Sequence, residues 1–204
     1  MALSDQPIRS FIAIDLPEDV RREAGRISGR LQEGIYGVKW VEPKNLHLTV
    51  KFLGGVEPET LDLVKETVGP IAARFQPIEL GLAGAGSFPP RGRPRVIWLG
   101  VHGGLDHLAA LAGNIETALE PLGFEPEDRP FSPHLTLGRV KQGRRKKSGR
   151  GPDPDPGQLQ GRILELAEVR AGEFSVNELV LFQSVLSPAG PTYRPLARFP
   201  LTGA

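Results

Sequence analysis

Two segments of the chain, KNLHLTVKF (44–52) and FSPHLTLGR (131–139), carry histidine, leucine and threonine in the same order. Side chains on an extended strand alternate between its two faces. His47, Thr49 and Lys51 therefore share one face, and Leu46, Leu48, Val50 and Phe52 the other. In the second segment His134 and Thr136 oppose Leu135 and Leu137. Each strand hides an aliphatic face and presents an imidazole beside a hydroxyl. Their Cα atoms are about 6.5–7 Å apart on a strand, so both groups can touch one small anion. Two of the chain's 4 histidines hold this repeated position. The other two, His102 and His107, flank the start of a helical pattern at 104–122 and read as solvent-facing or capping residues.

Imidazole titrates near pH ~6.5 when unperturbed, so of two opposed histidines one can be a base while the other is an acid. Displacement at phosphorus needs that combination: a base for the nucleophile and an acid for the leaving oxygen. Threonine hydroxyls can donate to the non-bridging oxygens as charge builds on them. Metal binding is the weaker alternative, because no HxH, HExxH or carboxylate cluster accompanies the histidines. A serine hydrolase is weaker still, for want of a GxSxG elbow. The chain has no cysteine, which excludes disulfides, thiolate metal sites and thiol nucleophiles.

The elements that must position these groups follow from periodicity and punctuation. RSFIAIDLP reads as a strand stopped by Pro17. A helix follows to Gly34, with acids at its front. VKWV and LHLTVKFLG are strands separated by the turn EPKN. Leu61, Val64, Val68 and Ile71 mark a second helix that Gly69-Pro70 is expected to bend or break. IELGLAGAG and PRVIWLGV are strands around a Pro/Gly-rich loop at 86–94, followed by the 104–122 helix and the strand HLTLGRV. RILELAEVR reads as a short helix, and FSVNELVLFQSVLS and RPLARFPL as closing strands. Tight turns between strands argue for antiparallel pairing and interspersed helices for an α+β fold. With one HLT strand in each half, the pattern is that of two similar lobes in one continuous domain spanning 1–204.

The bulk numbers suit this picture: 39% hydrophobic and 24% charged residues describe a globular protein. The net charge of +1 does not mark a nucleic-acid binder, so any basic surface must be local. No apolar run reaches the ~18–20 residues of a membrane span, and MALSDQPIRS lacks a secretory pattern. A cytoplasmic location is expected.

The paired HLTV and HLTL resemble the two H-x-T-x motifs of the two-histidine phosphoesterase superfamily. In order along the chain, RSFIAIDLP, HLTVKFLG, FPPRGRPRVIWLGV, RPFSPHLTLGRV and SVLSPAGPTYRPLARFPL are similar to bacterial and archaeal RNA 2′,3′-cyclic phosphodiesterases, historically called 2′-5′ RNA ligases. The resemblance covers about 10–140 and 170–201. It implies two pseudo-symmetric lobes, each an antiparallel sheet with helices on its outer face, and an active-site cleft between the sheets. The implied reaction is hydrolysis of a ribose 2′,3′-cyclic phosphate to a 2′-phosphate, without metal or other cofactor. By position, His47 matches the proton donor and His134 the acceptor, while Thr49 and Thr136 match the phosphate-holding hydroxyls. The expected partners are RNA ends or nucleotides carrying that phosphate, with no membrane and no obligate protein partner. Joining of RNA ends through a 2′-5′ bond is implied as the same path with an RNA hydroxyl in the role of water. Two rivals stand beside hydrolysis: another cyclic or 2′,5′-linked nucleotide as substrate, and an RNA-binding module without catalysis.

The departure from the pattern is a basic insert at 141–157, expected to be a mobile loop and a candidate arm for RNA phosphates. Lys51 and Arg139 are substrate-binding candidates. Strict alternation puts Arg139 on the face away from His134, unless Gly138 permits a bulge that re-aims it. Phe11, Trp40, Phe131 and Tyr193 are candidate stacking partners for a base.

Overall fold

The computed structural model describes residues 6–141, 155–188 and 190–204. Nine strands and four helices alternate: β1 (Ile8–Asp15), α1 (Glu18–Gln32), β2 (Val38–Trp40), β3 (His47–Val56), α2 (Pro58–Ala73), β4 (Ile78–Phe88), β5 (Val96–Gly103), α3 (Leu105–Leu119), β6 (His134–Val140), α4 (Pro156–Glu165), β7 (Arg170–Val176), β8 (Glu178–Ser187) and β9 (Gly190–Pro200). The strands form one curled sheet in the order β7-β4-β5-β6-β3-β1-β8-β9, with β2 added on β6. Every pairing in it is antiparallel.

The order reads symmetrically outward from its middle. β3-β1-β8-β9 make one lobe and β6-β5-β4-β7 the other. The lobes do not coincide with the halves of the chain. β4, from the first half, completes the second lobe, and β8 and β9 return to complete the first. That return happens at Asn177. FSVNELVLFQSVLS, expected as one strand, divides there into β7 on β4 and β8 on β1.

Helix boundaries follow local chemistry. Glu18 and Asp19 open α1, where carboxylates suit the positive end of the helix dipole. Its buried stripe is Val20, Ala24, Ile27 and Leu31. Pro70 does not break α2, which runs on to Ala73. In its last turn it forfeits a bond to the carbonyl of exposed Glu66, while buried Val68, Ile71 and Ala72 hold the turn to the core. The expected helix at RILELAEVR begins earlier, at Pro156, where the Asp155 carboxylate caps the Gly157 amide at 2.8 Å. The end of the expected insert is therefore helical, and its residues 142–154 lie outside the described residues.

The helices cover the outer face of the curled sheet, α1 against β7 and α2 against β9 and α3. Ile12, Leu48, Ile97, Leu99 and Leu135, each at most 1% exposed, form the middle of the core beneath them. A second, smaller apolar group of Phe11, Ala13, Val180 and Phe182, flanked by Tyr193, lies on the opposite, inner face. Among the described residues no helix is long and apolar enough to cross a membrane.

β2 docks on β6 only because position 138 has no side chain. A Cβ there would lie 2.8 Å from both the Trp40 ring and Val38 Cγ1. Gly138→Ala is expected to destabilise the protein by about 1–3 kcal/mol, the range of overpacked sites, as a lower urea midpoint at unchanged m-value.

Candidate active site

β3 and β6 meet at one antiparallel bridge, Leu48 opposite Leu135. These are the central residues of the two HLT tripeptides. Antiparallel pairing about a point is a local twofold, so His47 is set towards Thr136 and Thr49 towards His134. With both leucines turned into the core, all four polar side chains lie on the inner face. Diagonal neighbours across such a pair are roughly 7–8 Å apart, a span that a phosphate group can bridge.

Each ring is held from behind by the carbonyl two residues earlier: His47 Nδ1 is 2.8 Å from the Asn45 oxygen, and His134 Nδ1 is 2.8 Å from the Ser132 oxygen. A carbonyl only accepts, so Nδ1 carries the proton in both rings and donates it. Nε2 is left as the ring atom able to exchange a proton. Asn45 is itself fixed, its Nδ2 donating to the Pro191 oxygen at 3.0 Å.

Beyond the threonines each strand bulges at the same place. Pairing with β1 steps from Thr49–Ala13 to Lys51–Ile12, so Val50 is the extra residue. Pairing of β6 with β5 steps from Thr136–Trp98 to Gly138–Ile97, so Leu137 is the extra residue. A bulge inverts the alternation after it. Val50 and Lys51 are both buried, as are Leu137 and Gly138, and the next residue of each strand turns to the inner face. Arg139 is thereby brought to the face of Thr136, as the bulge at Gly138 would require. Phe52, expected in the core, is 54% exposed on the inner face beside Phe11, with ring centroids 6.2 Å apart.

The same inversion corrects Lys51. It is 5% exposed on the core side, its Nζ 2.9 Å from Glu116 Oε1 and 2.7 Å from the Glu125 oxygen. It does not reach a phosphate held by His47. Glu116 also accepts from the Glu127 amide at 2.8 Å. The Lys51 hydrogen bond, seconded by that amide, holds the Glu116 carboxyl below its ordinary value.

Of the aromatic candidates, Trp40 and Phe131 are half-buried and pack against the main core. Phe11 is buried under His47 at 4.8 Å, and Tyr193 meets the same imidazole edge-on at 5.1 Å. Phe88 stands edge-on to His134 at 5.1 Å. This packing desolvates His47 and lowers its pKa from 6.5, and the nearby Arg139 charge lowers it further. The Asn45 carbonyl and Asp15 oppose the shift. Burial likewise raises the Tyr193 phenol, against the charges of Arg139 and Arg9. Among the described residues no cluster of His, Asp or Glu is placed to hold a metal ion.

The sequence model of the LigT-like phosphoesterases matches residues 14–98 and matches again at 99–193, once around each motif. The chain belongs to this family. It is 37% identical over 194 residues to an RNA 2′,3′-cyclic phosphodiesterase of Methanothermobacter thermautotrophicus, covering 95% of this chain and 99% of that one. It is 32% identical to the Thermotoga maritima protein of the same name, covering 93% of each. Crystal structures of a Thermus thermophilus protein (32% identity) and of E. coli LigT with 3′-AMP (29%) superpose with TM-scores of 0.74. Both alignments cover 96% of this chain and 99% of the other.

Two measurements test this geometry. NMR titration is expected to place His47 below 6.5, and Arg139→Gln to raise it by removing a neighbouring positive charge; no movement would separate Arg139 from the site. Glu116→Ala leaves the Lys51 ammonium buried with one carbonyl partner, and is expected to cost about 3–5 kcal/mol in urea unfolding. Because the Glu116 carboxyl is depressed on folding, its contribution is complete above the ordinary 4.5. It is lost as pH falls through the lower folded value.

Proposed function

We propose that this LigT-like phosphodiesterase hydrolyses the 2′,3′-cyclic phosphate of an RNA end or nucleotide in the cytoplasm, leaving a 2′-phosphate. The observation that carries the reading is the Leu48–Leu135 bridge, which sets two imidazole–hydroxyl pairs about one point. Relatives over nearly the full length are named for this activity.

In the proposed reaction His134 Nε2 takes a proton from water as its oxygen bonds to phosphorus. The bond from phosphorus to the 3′-oxygen breaks, and His47 Nε2 gives that oxygen its proton. Thr49 and Thr136 donate to the non-bridging oxygens, and the Arg139 guanidinium offsets their growing charge. Tyr193 and exposed Phe52 flank the place of the base. With the 5′-hydroxyl of another RNA end in place of water, the same path makes a 2′-5′ bond. That oxygen bonds to phosphorus and gives its proton to His134, and the 3′-oxygen leaves with the proton of His47. Hydrolysis dominates because water is in vast excess.

The depressed His47 suits a donor that releases its proton readily, and it also sets a pH dependence. The free enzyme must hold His47 protonated, so kcat/KM is expected to fall as pH rises through a value below 6.5. The bound phosphate anion favours the imidazolium, so the corresponding limb of kcat lies at higher pH.

A nucleoside 2′,3′-cyclic phosphate, incubated with the protein in EDTA, is expected to yield the 2′-phosphate. His47→Ala and His134→Ala are each expected to lower kcat by about 10²–10⁴-fold, the usual worth of a positioned acid or base. Turnover that survives in both variants would overturn the acid–base pair. RNA affinity without turnover in the wild type would replace catalysis with binding alone.

A further inference from the structure

The two motif strands end differently once past their bulges. On β6 the residue turned into the cleft is Arg139, and directly opposite it across the ladder is Lys39 of β2. Lys141 stands two residues beyond Arg139, and its amide donates to the Gly37 oxygen, which carries the β2–β6 pairing one step further. On the other flank Val96 faces Arg139, and the carbonyl of Arg95 accepts from the Val140 amide. Arg91 and Arg93 lie in the connection that leads to β5. One end of the second lobe thus gathers Lys39, Arg91, Arg93, Arg95, Arg139 and Lys141, all exposed. Among the described residues none of the six is in an ion pair.

Like charges directly opposite each other on a sheet destabilise it. The Lys39–Arg139 pair is such a contact, and no carboxylate is interleaved in 36–41, 86–96 or 138–141. An anion lying along this end relieves the repulsion. The first lobe differs at the matching positions: Phe52 stands where Arg139 stands, and the strand runs on into Glu57 and Glu59, while Arg9 lies near Tyr193. β2 also occupies the flank of β6 just past the point where β3 leaves it, so Lys39 sits where the cleft opens.

We propose that Lys39 and Lys141, continuing from Arg139 and backed by the 91–95 arginines, are a one-sided track for the phosphodiester backbone of the RNA strand whose cyclic end occupies the cleft. This rests on the proposed function. Residues two apart on a strand are about 6.5–7 Å apart, the scale of one nucleotide step, so successive cations meet successive phosphates. The gathering of six cations at the second lobe sets the direction: the body of the strand leaves over that lobe, and the first lobe is left for the terminal nucleoside.

The test compares a mononucleoside 2′,3′-cyclic phosphate with a short single-stranded oligoribonucleotide bearing the same end, using wild type and Lys39→Gln/Lys141→Gln. At low salt the double variant is expected to lose about tenfold in kcat/KM on the oligonucleotide and to keep mononucleotide turnover. The slope of log affinity for the oligonucleotide against log salt is expected to shrink by about 0.7 for each cation removed. Equal loss on both substrates, or an unchanged salt slope, would overturn the track. So would an acidic peptide that competes as strongly as RNA. If wild type turns over neither substrate, the proposed reaction fails, while the salt slope measured by binding still decides the track.

Discussion

The site depends on a single backbone contact, the pairing of Leu48 with Leu135. Two antiparallel strands that touch at one residue pair must be related by a twofold about that point. Each leucine is at most 1% exposed, which turns its neighbours on both sides to the opposite face. A longer β3–β6 ladder would continue a flat sheet and leave no cleft. A junction of one pair lets the strands splay, so the sheet curls and the space between its halves stays open. Burial of two leucines and placement of two histidines are one event.

Symmetry ends just beyond the tripeptides, and the departures make the two imidazoles unequal. Asp15 pairs opposite His47, where the other lobe has Gly100 opposite His134. Phe11 and Tyr193 crowd His47 and desolvate it, and Arg139 lies close enough to disfavour its charge. After the bulges, Phe52 answers Arg139 and Lys51 answers Gly138. In the proposed reaction the Phe52 wall serves the base and the Arg139 guanidinium serves the phosphate. A symmetric pair offers the two ends of a nucleotide the same surroundings; this one offers them different ones.

Much of this is legible in the alternation of HLT, because period two is a property of any regular strand and the leucines identify the buried face. What lies beyond the bulges is not. Alternation presumes an unbroken ladder, and one extra residue inverts everything after it, so the sequence points Lys51 into the cleft and Phe52 into the core. Only Gly138 hints at irregularity in β6. In β3 no such glycine stands at the bulge, since Val50 and Lys51 occupy it. The division at Asn177 is hidden for a different reason: Phe174, Val176 and Leu179 to Phe182 follow one another without a Gly or Pro, and which lobe each part joins is decided by long-range pairing. Asp155-Pro156 is a legible N-cap and first-turn signal, masked by the charged tract before it.

The positions behind the bulges explain why the motifs stay in register. At Gly138 the missing side chain admits Trp40 and Val38, so β2, the segment that leads towards His47, is anchored on the strand of His134. At the equivalent Lys51 the ammonium holds the Glu125 carbonyl and, through Glu116, the Glu127 amide. The segment that leads towards His134 is anchored in turn on the strand of His47. Each histidine takes its ring orientation from the carbonyl two residues before it, so the placement of each approach matters to the ring itself. The two anchors use opposite chemistry, one the absence of a side chain and the other a buried charge with its partners. Together they make each motif the support of the other, which a junction of one residue pair could not do alone.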